Sequence, residues 1–459
     1  MAASDFKVLV VGGGPVGLIA AHALHHAGID FEVLEARDSV VLDQGASLVL
    51  ASPSIRVLHQ LGLWERLSEI GVEMKRSTSF TRDGSIFSDN TALFQTFKTN
   101  FGLAPYIFHR AQLINVLYNE LPSDAKVHYH LSKKIMSMDV SKKDSVQVTC
   151  ADGRTFEGSI VLGADGVHSK TRTLMRGLAL SQDTQLTWED AAEPFSKEYR
   201  CLWSSFPRPA EVEQGYATDT QSKDMSVMFL AGKERGWIFL YKRIEPLESS
   251  TSPTRPEKAT RVRWTEDDMR TYATQFAEFP VTETLNVKDV YETRFNQGLA
   301  DLEEGILKHW SWGRVVLAGD ACHKFTPNAG RGLNNGIQDV VALCNGLYEM
   351  LNSKQGISPD EATLSKVFSE YQTLRSEPLK SDYKQSRSIS RMHAWKNTLY
   401  YFMARYIMSC EWLVMFMLKF SASKMIKKAF VFNYILVDEP FTALVKWNHP
   451  LVADADLQK

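Results

Sequence analysis

The sequence predicts an α/β fold in which helices flank a parallel sheet and a second, antiparallel sheet is interleaved with it. Three observations support this prediction. The chain opens with a strand, a glycine-rich loop and a helix that lead to a second strand by residue 35. Short segments rich in aromatic and β-branched residues fill 176–307, as in antiparallel sheets. Another strand, glycine-rich loop and helix follow at 314–350. Residues 53–67 are predicted as one helix and 155–162 as one strand.

Composition places the chain among globular proteins and excludes several function classes. Its 459 residues are 44% hydrophobic and 23% charged. The 52 Lys and Arg against 54 Asp and Glu leave a net charge of −2, which disfavours a nucleic-acid binder. Five widely separated cysteines argue against a disulfide framework and against a zinc ribbon. Because no apolar segment precedes the first strand, we expect no signal peptide, and therefore an intracellular protein.

The opening strand, Lys7–Val11, leads into a loop that fits the GxGxxG pattern of dinucleotide-binding domains. Gly12 permits the tight turn, Gly14 lets a pyrophosphate approach the backbone, and Gly17 lets the helix pack closely on the strand. The helix N-terminus offers free N–H groups and a positive dipole to the phosphates. Glu35 ends the second strand, where a carboxylate can bind a ribose diol. This Rossmann-like motif alone leaves NAD and FAD open.

Three further segments carry candidate ligand-binding residues. Arg110 begins a predicted helix, where a cation opposes the helix dipole. A bound phosphate or ribityl chain would explain it, and so would solvent exposure. Asp165 and Gly166 close a strand, which is often only a turn. Asp320 ends another strand, and the glycine-rich loop that follows opens a helix, so a second set of oriented N–H groups is predicted there.

Together these motifs resemble the single-component FAD-dependent monooxygenases with the para-hydroxybenzoate hydroxylase fold, over residues 5–390. Segments 43–47 and 199–203 and the apolar C-terminus resemble, more narrowly, the fungal epoxidases of meroterpenoid and indole-diterpene pathways. The chain departs from the common pattern at Arg331, which is often Gln, and at Leu333, which is often small. A single GxGxxG motif disfavours monooxygenases of the Baeyer–Villiger kind, which need two.

The resemblance implies FAD as the cofactor, NAD(P)H and O₂ as co-substrates, a C4a-hydroperoxyflavin as the oxygen donor, and no metal site. It assigns the ADP half of FAD to Gly12, Gly14, Gly17 and Glu35, the pyrophosphate or ribityl region to Arg110, and the ribityl chain to Asp320. Val49 would line the FAD, Asp165 and Gly166 would lie where FAD and NAD(P)H motifs overlap, and Gly332 and Leu333 would bring N–H groups to the isoalloxazine.

Catalytic residues are harder to assign, because the flavin performs the oxygen chemistry. Arg200 and Tyr216 are the candidates for polar groups that face the flavin. Tyr216 could donate a proton or orient the substrate, and both residues could equally be ordinary sheet residues. His323 follows the Gly-Asp-Ala motif, and a structural hydrogen bond is favoured for it over catalysis.

The predicted function is epoxidation of an alkene in a prenylated secondary metabolite. Two alternatives stay open: an aromatic-ring hydroxylase of the same fold, and a non-catalytic protein of the GDP-dissociation-inhibitor type that binds prenylated proteins. The predicted domain limits are 1–75, 106–175 and 308–392 for the FAD-binding domain, 76–105 and 176–307 for the substrate domain, and 393–459 for a helical hydrophobic C-terminal tail.

The tail has an unusual composition. Charged residues interrupt its first apolar segment, 399–420, so that no uninterrupted stretch approaches the ~20 residues of a spanning helix. A second apolar segment occupies 429–437, and four lysines lie between Leu418 and this segment: Lys419, Lys424, Lys427 and Lys428. Apolar segments flanked by lysine favour a helix that lies in a membrane interface. Packing onto the protein's own domains is the alternative.

Overall fold

The structure is a computed structural model that describes residues 6–43, 46–182, 188–245, 264–353 and 359–452. Its strands are β1 (Lys7–Val11), β2 (Asp30–Leu34), β3 (Ser47–Leu50), β4 (Val72–Glu73), β5 (Arg76–Thr81), β6 (Ile86–Asn90), β7 (Tyr106–His109), β8 (Tyr129–His130), β9 (Ile135–Asp139), β10 (Val146–Cys150), β11 (Thr155–Gly158), β12 (Ile160–Gly163), β13 (Ser196–Pro207), β14 (Tyr216–Ser222), β15 (Met225–Ala231), β16 (Arg235–Arg243), β17 (Asn296–Ile306), β18 (Ser311–Trp312), β19 (Val315–Leu317) and β20 (His323–Lys324).

The helices in the same ranges are α1 (Pro15–His26), α2 (Ser52–Gln60), α3 (Trp64–Ile70), α4 (Ala92–Phe101), α5 (Arg110–Asn119), α6 (Ser123–Lys126), α7 (Lys170–Gln182), α8 (Glu266–Thr274), α9 (Val287–Tyr291), α10 (Arg331–Ser353), α11 (Glu361–His393), α12 (Thr398–Phe402), α13 (Glu411–Met417) and α14 (Ser423–Ile426). Short 3₁₀ turns occupy Gly319–Ala321 and Pro327–Ala329, and π-helical turns occupy Met403–Ile407 and Leu418–Ala422.

A six-stranded, mostly parallel sheet forms the centre of the molecule, in the order β18-β19-β12-β1-β2-β8. The apolar strand β1 pairs in parallel with both β2 and β12 and is almost wholly buried. Burial on both faces is typical of parallel strands that helices cover. Because the carboxyl ends of β1, β12 and β19 meet at one edge, the loops that follow them lie side by side. Three of the predicted motifs therefore converge.

The second sheet has eight strands in the order β20-β17-β13-β16-β15-β14-β5-β6. Its pairs are antiparallel except β5 with β14, and β5 and β6 come from a part of the chain distant from the rest. Helices α8 and α9 cover one apolar face, while the other faces β3 and β7. This arrangement matches the predicted interleaving of two sheets, whereas the exact domain limits stay predictions.

Two elements differ from their prediction. The helix predicted at 53–67 is divided into α2 and α3, because Gly62 adopts a left-handed φ of +73° between them. The strand predicted at 155–162 is divided into β11, which pairs with β10, and β12, which pairs with β1. The chain changes sheets at Ser159, whose N–H donates to Lys7 O at 2.7 Å.

The tail is helical only as far as residue 426. Beyond it, residues 429–449 form an irregular segment, the C-terminal strap, that crosses α2 and α10. Gln60 donates to the carbonyls of Phe432 and Ile435 at 2.8 Å each and accepts from Phe432 N at 2.8 Å. Gln338 likewise bonds both Phe430 O and Phe430 N. The apolar segment 429–437 therefore packs on the protein itself.

Among the described residues, the structure contains no helix that is both long enough and apolar enough to cross a membrane.

The strap predicts a specific effect of the variant Gln60→Ala. Loss of the buried amide leaves one N–H and two carbonyls of the strap without partners, which costs about 3 kcal/mol of the free energy of unfolding. Urea unfolding measures this change. The exposed Gln95→Ala on α4 is the control and should stay within about 0.5 kcal/mol of the wild type. Equal stability of the two variants would contradict the role given to Gln60.

Candidate active site

The first glycine-rich loop is shaped by close approach of the backbone. Gly12 has a φ of +102°, and a Cβ there would lie 2.6 Å from Ala164 O. A Cβ on Gly17 would lie 1.9 Å from Gly12 O. Gly14 differs, because a Cβ at this position meets nothing within 4 Å. Gly14 precedes α1 directly, so the space in front of the helix N-terminus is open to an anionic group.

Glu35 lies beside this loop and braces it. Its carboxylate accepts hydrogen bonds from Gly13 N at 2.7 Å and from Arg37 N at 2.9 Å. The Tyr129 hydroxyl donates to Gly13 O at 3.0 Å from the other side. These contacts hold the loop at the end of β2, and the ribose contact expected of Glu35 stays a prediction.

The motif after β12 caps a helix. Asp165 accepts from Ser169 Oγ at 2.5 Å, from Thr171 N at 2.9 Å and from Thr171 Oγ1 at 3.0 Å, at the start of α7. Burial raises the pKa of the Asp165 carboxyl, and these hydrogen bonds oppose the rise. Gly166 has a φ of +78°. The Asp165 carboxylate therefore stabilises the turn at Gly166 and the start of α7.

Arg172 was not among the predicted site residues, although it follows this motif closely. It donates to Ala321 O at 2.9 Å and to Val167 O at 2.8 Å. It thus ties the loop after β12 to the loop after β19. The only feature of the sequence that indicated this role was the position of Arg172 shortly after the Gly-Ala-Asp-Gly motif.

Arg110 and Asp320, which are far apart in the sequence, lie near each other. The pKa of the Asp320 carboxyl is lowered even though burial raises it, because Lys324, His323 and Arg110 are close. Lys324 Nζ lies 2.5 Å from Asp320 Oδ2. Burial lowers the pKa of Arg110, and Asp320 opposes that change. A Cβ on Gly332 would lie 3.6 Å from Asp320 Oδ1, so the second glycine-rich loop faces this carboxylate.

Asn334 connects the second glycine-rich loop to β3. Its Nδ2 donates to Val49 O at 2.8 Å and to Gly330 O at 2.6 Å, while its Oδ1 accepts from Ala51 N at 3.0 Å. Val49 thereby lies against this loop, as its predicted role requires. Leu333 is half-buried and packs against the core around the parallel sheet. Asn334 was not among the predicted site residues, and its position one residue after Leu333 was the available signal.

Asp339, on α10, is the buried centre of this region. Its Oδ2 accepts from Gly319 N at 2.9 Å and lies 2.5 Å from His323 Nε2, and its Oδ1 accepts from Arg375 Nε at 2.8 Å. Burial opposes ionisation, but His323 and Arg375 lower the pKa of Asp339 to about 2. The hydrogen bond predicted for His323 is present. The network holds the turn at Gly319, whose φ is +62°, and so positions the residue that follows it.

Ligand atoms of Cys322, His323 and Asp339 lie within 4.8 Å of one another. The Arg375 guanidinium already shares the Asp339 carboxylate, and its charge disfavours a metal cation beside it.

The two predicted catalytic residues lie elsewhere. Arg200 donates to Asp301 Oδ1 at 2.6 Å and stacks over Trp264 at 4.4 Å. Tyr216 donates to Glu283 at 3.3 Å, and burial raises its pKa to about 12. Both contact the side of the eight-stranded sheet that α8, α9 and their flanking loops cover. Strand alternation turns their side chains away from the face that contacts Val49, and the role predicted for them beside the flavin stays a prediction.

The face toward β3 and β7 carries a different set of side chains, which alternate with Arg200 along β13 and with Tyr216 along β14. It is apolar and aromatic, and it contacts Val49 and Ile107 of the other domain. These side chains are Cys201, Trp203, Ala217, Met228, Leu230, Trp237, Phe239, Tyr241 and Leu302. Trp237 Nε1 is buried without a hydrogen-bond partner in the described part of the chain. The sequence shows that side chains alternate between the two faces of a strand, but it does not show which face is turned toward Val49.

Comparison with known proteins decides the family. Residues 5–358 match the model of the FAD binding domain family. The FAD-dependent monooxygenase esdpE of Penicillium shearii is 31% identical over 408 residues, which cover 88% of this chain and 82% of that protein. The chain belongs to the FAD-dependent monooxygenases. FAD is therefore the cofactor of this monooxygenase, and the open space before α1 suits its pyrophosphate.

Solved structures agree on the fold of the monooxygenase. Klebsiella pneumoniae HpxO, complexed with FAD and uric acid, superposes with a TM-score of 0.69 at 19% identity and covers 91% of this chain and 97% of its own. A salicylate hydroxylase substrate complex superposes with a TM-score of 0.66 at 18% identity, covering 92% and 98%. At these identities the likeness concerns the fold alone.

Gly14→Val tests the open space before α1. Because a Cβ at this position meets no protein atom within 4 Å, the variant should fold normally while its side chain obstructs the pyrophosphate. We expect flavin content to fall at least about tenfold, as the loss of one good phosphate contact implies. Flavin absorbance per protein and far-ultraviolet circular dichroism measure the two effects. The control, Gly177→Val on the exposed side of α7, should keep its flavin; an equally yellow Gly14→Val would refute this placement.

Asp339 predicts a pH dependence. Because its pKa is lowered in the folded state, its stabilisation is complete above the ordinary carboxyl pKa of about 4 and is lost as pH falls toward about 2. Asp339→Asn should cost about 4 kcal/mol near neutral pH, since it leaves the buried Arg375 guanidinium without its carboxylate partner. The difference from the wild type should shrink in acid. Urea unfolding at several pH values measures it, with the exposed Asp267→Asn as control; a pH-independent difference would count against this assignment.

Proposed function

We propose that this monooxygenase epoxidises an alkene of a prenylated secondary metabolite, with NAD(P)H as reductant. The observation that carries the proposal is the pairing of two surfaces. One holds the residues assigned to FAD, around Arg110, Asp320 and Gly332. The other is the apolar, aromatic sheet face that meets Val49. A lipophilic substrate between them would bury its hydrocarbon against that face.

FAD, once reduced, supplies an electrophilic oxygen derived from O₂, which an electron-rich alkene accepts. The protein's own residues bind, orient and exclude water. Gly332 and Leu333 lie in the first turn of α10, whose N-terminal N–H groups and dipole favour negative charge at this position. Arg110 lies beside Asp320 and adds positive charge. No protein nucleophile is required for this reaction.

The side chains on this sheet face would orient the substrate. Trp203, Phe239 and Leu302 present hydrocarbon surface, and Trp237 Nε1 is a buried donor whose partner would be a substrate oxygen. A prenylated aromatic or polyketide-derived molecule combines such an oxygen with a long apolar chain. The charged network of Arg200 and the Tyr216–Glu283 pair lie on the opposite face, so they are not part of this proposed substrate contact.

Ring hydroxylation is the second candidate, since the same surfaces would accept a flat phenol. A non-catalytic prenyl-binding role is less favoured, because Asp320 and the second glycine-rich loop are intact. An intracellular location is part of the proposal, since NAD(P)H is an intracellular reductant. All five cysteines are free, which suits a reducing compartment.

Product analysis distinguishes the two reactions. Purified yellow protein is reduced by NADPH without oxygen, then mixed with oxygen and either a farnesylated phenol or the same phenol carrying a saturated chain. We expect the unsaturated substrate alone to gain one oxygen atom, on the chain, and to accelerate NADPH oxidation. Oxygen on the ring of both substrates would establish the hydroxylase instead, and colourless protein without NADPH oxidation would refute both.

A further inference from the structure

Exposed apolar side chains are concentrated on one part of the molecule. Residues 398–426, here called the tail surface, contain more than half of the large hydrophobic side chains that are exposed on the described part of the chain. They are Leu399, Phe402, Tyr406, Met408, Trp412, Phe416, Met417, Phe420 and Met425. Trp412 is 70% exposed. Patches of this kind mark interaction sites on soluble domains.

The tail surface has an inner and an outer side. On the inner side, Thr96 of α4 donates to Met415 Sδ at 3.2 Å, and Asn100 donates to Ser423 Oγ at 3.5 Å. On the outer side, Trp412, Phe416 and Phe420 recur every four residues, and the rings of the last two lie 4.7 Å apart. Residues four apart share one face of a helix. The helices are thus fixed to the protein while an aromatic row points outward.

Positive charge borders the aromatic row. Lys419, Lys424 and Lys428 are exposed, and Lys427 is half-buried. None of these four lysines makes an ion pair with any residue in the described ranges. Glu411 is the single acidic residue between 398 and 426, so this surface is positive.

We propose that the tail surface binds the interface of an anionic lipid bilayer, with its helices lying in the plane of the membrane. The aromatic row would enter the boundary between headgroups and acyl chains, and the lysines would contact lipid phosphates and carboxylates. Helical turns follow one another without a break from Glu411 to Ile426, so the interior backbone groups of this segment are paired within it and its apolar side chains can face lipid. A second copy of this chain is a poorer partner, because its lysines would meet the same lysines.

The inference does not depend on epoxidation. It places the protein where lipophilic molecules dissolve, and the tail surface adjoins the substrate sheet: Arg405 stacks over Phe87 of β6 at 4.4 Å. A membrane on this side of the molecule would therefore lie next to the domain that is proposed to hold the substrate.

Co-sedimentation of the full-length, flavin-loaded protein with vesicles tests the proposal. We expect the protein to pellet with vesicles of phosphatidylcholine and phosphatidylserine, and to pellet at least about tenfold less with phosphatidylcholine alone. High salt should weaken the binding. Two variants test the two components: Trp412→Ser/Phe416→Ser/Phe420→Ser removes the aromatic row, and Lys419→Glu/Lys424→Glu/Lys428→Glu reverses the charge. The charge reversal should weaken partition on the order of a hundredfold.

The controls change exposed side chains elsewhere: Val127→Ser/Met136→Ser for apolar side chains, and Lys134→Glu/Lys143→Glu/Lys366→Glu for lysines. Flavin absorbance and melting temperature confirm that each variant is folded. The proposal would be overturned if the wild-type protein did not bind anionic vesicles, or if the tail variants bound them as well as the controls do. So would a dimer that the aromatic variant converts to monomer while vesicles never bind. Because flavin content and product formation are separate readouts, failure here is distinguishable from failure of the epoxidase proposal.

Discussion

The buried carboxylate of Asp339 is the interaction on which the rest of the site depends. It joins the turn at Gly319 and the neighbouring His323 ring to the Arg375 guanidinium on α11, which is distant in sequence. A buried carboxylate is stable only when such partners neutralise it. Because Asp320 follows Gly319 directly, the same bonds that stabilise Asp339 also fix the carboxylate assigned to the cofactor. The long helix α11 therefore contributes to the site through Arg375.

Hydrogen bonds from two other side chains to backbone carbonyls fix further loops of the site. Arg172 ties the loop after β12 to Ala321, and Asn334 ties the second glycine-rich loop to β3. Both side chains donate to main-chain carbonyls, so they position loops rather than single atoms. The parallel sheet brings the loops to one edge, and these polar side chains set how closely they approach. The open space in front of Gly14 is what this framework leaves for the pyrophosphate of FAD.

The sequence predicts the site residues whose requirements are local, and it does not predict those whose positions depend on contacts distant in sequence. Gly12, Gly14 and Gly17 were identifiable because a tight turn and a helix N-terminus impose local requirements. The placement of Arg200 was not, because strand alternation shows that two faces exist but not which one faces the other domain. Helix 53–67 was predicted whole because Gly62 is tolerated in a helix pattern. The strap contacts of Gln60 depend on partners hundreds of residues away, which no local pattern encodes.

The two halves of the tail have similar composition and different surroundings, and backbone hydrogen bonding explains the difference. An irregular segment such as 429–437 leaves its N–H and C=O groups without internal partners, so an apolar strap must find them on the protein. Gln60 and Gln338 supply them. The helical turns of 398–407 and 411–426 pair their interior backbone groups within the helix and so need fewer partners on the protein. Their outward aromatic side chains are therefore free to contact an apolar partner outside the chain. The strap, which follows them in the sequence, is held on α2 and α10.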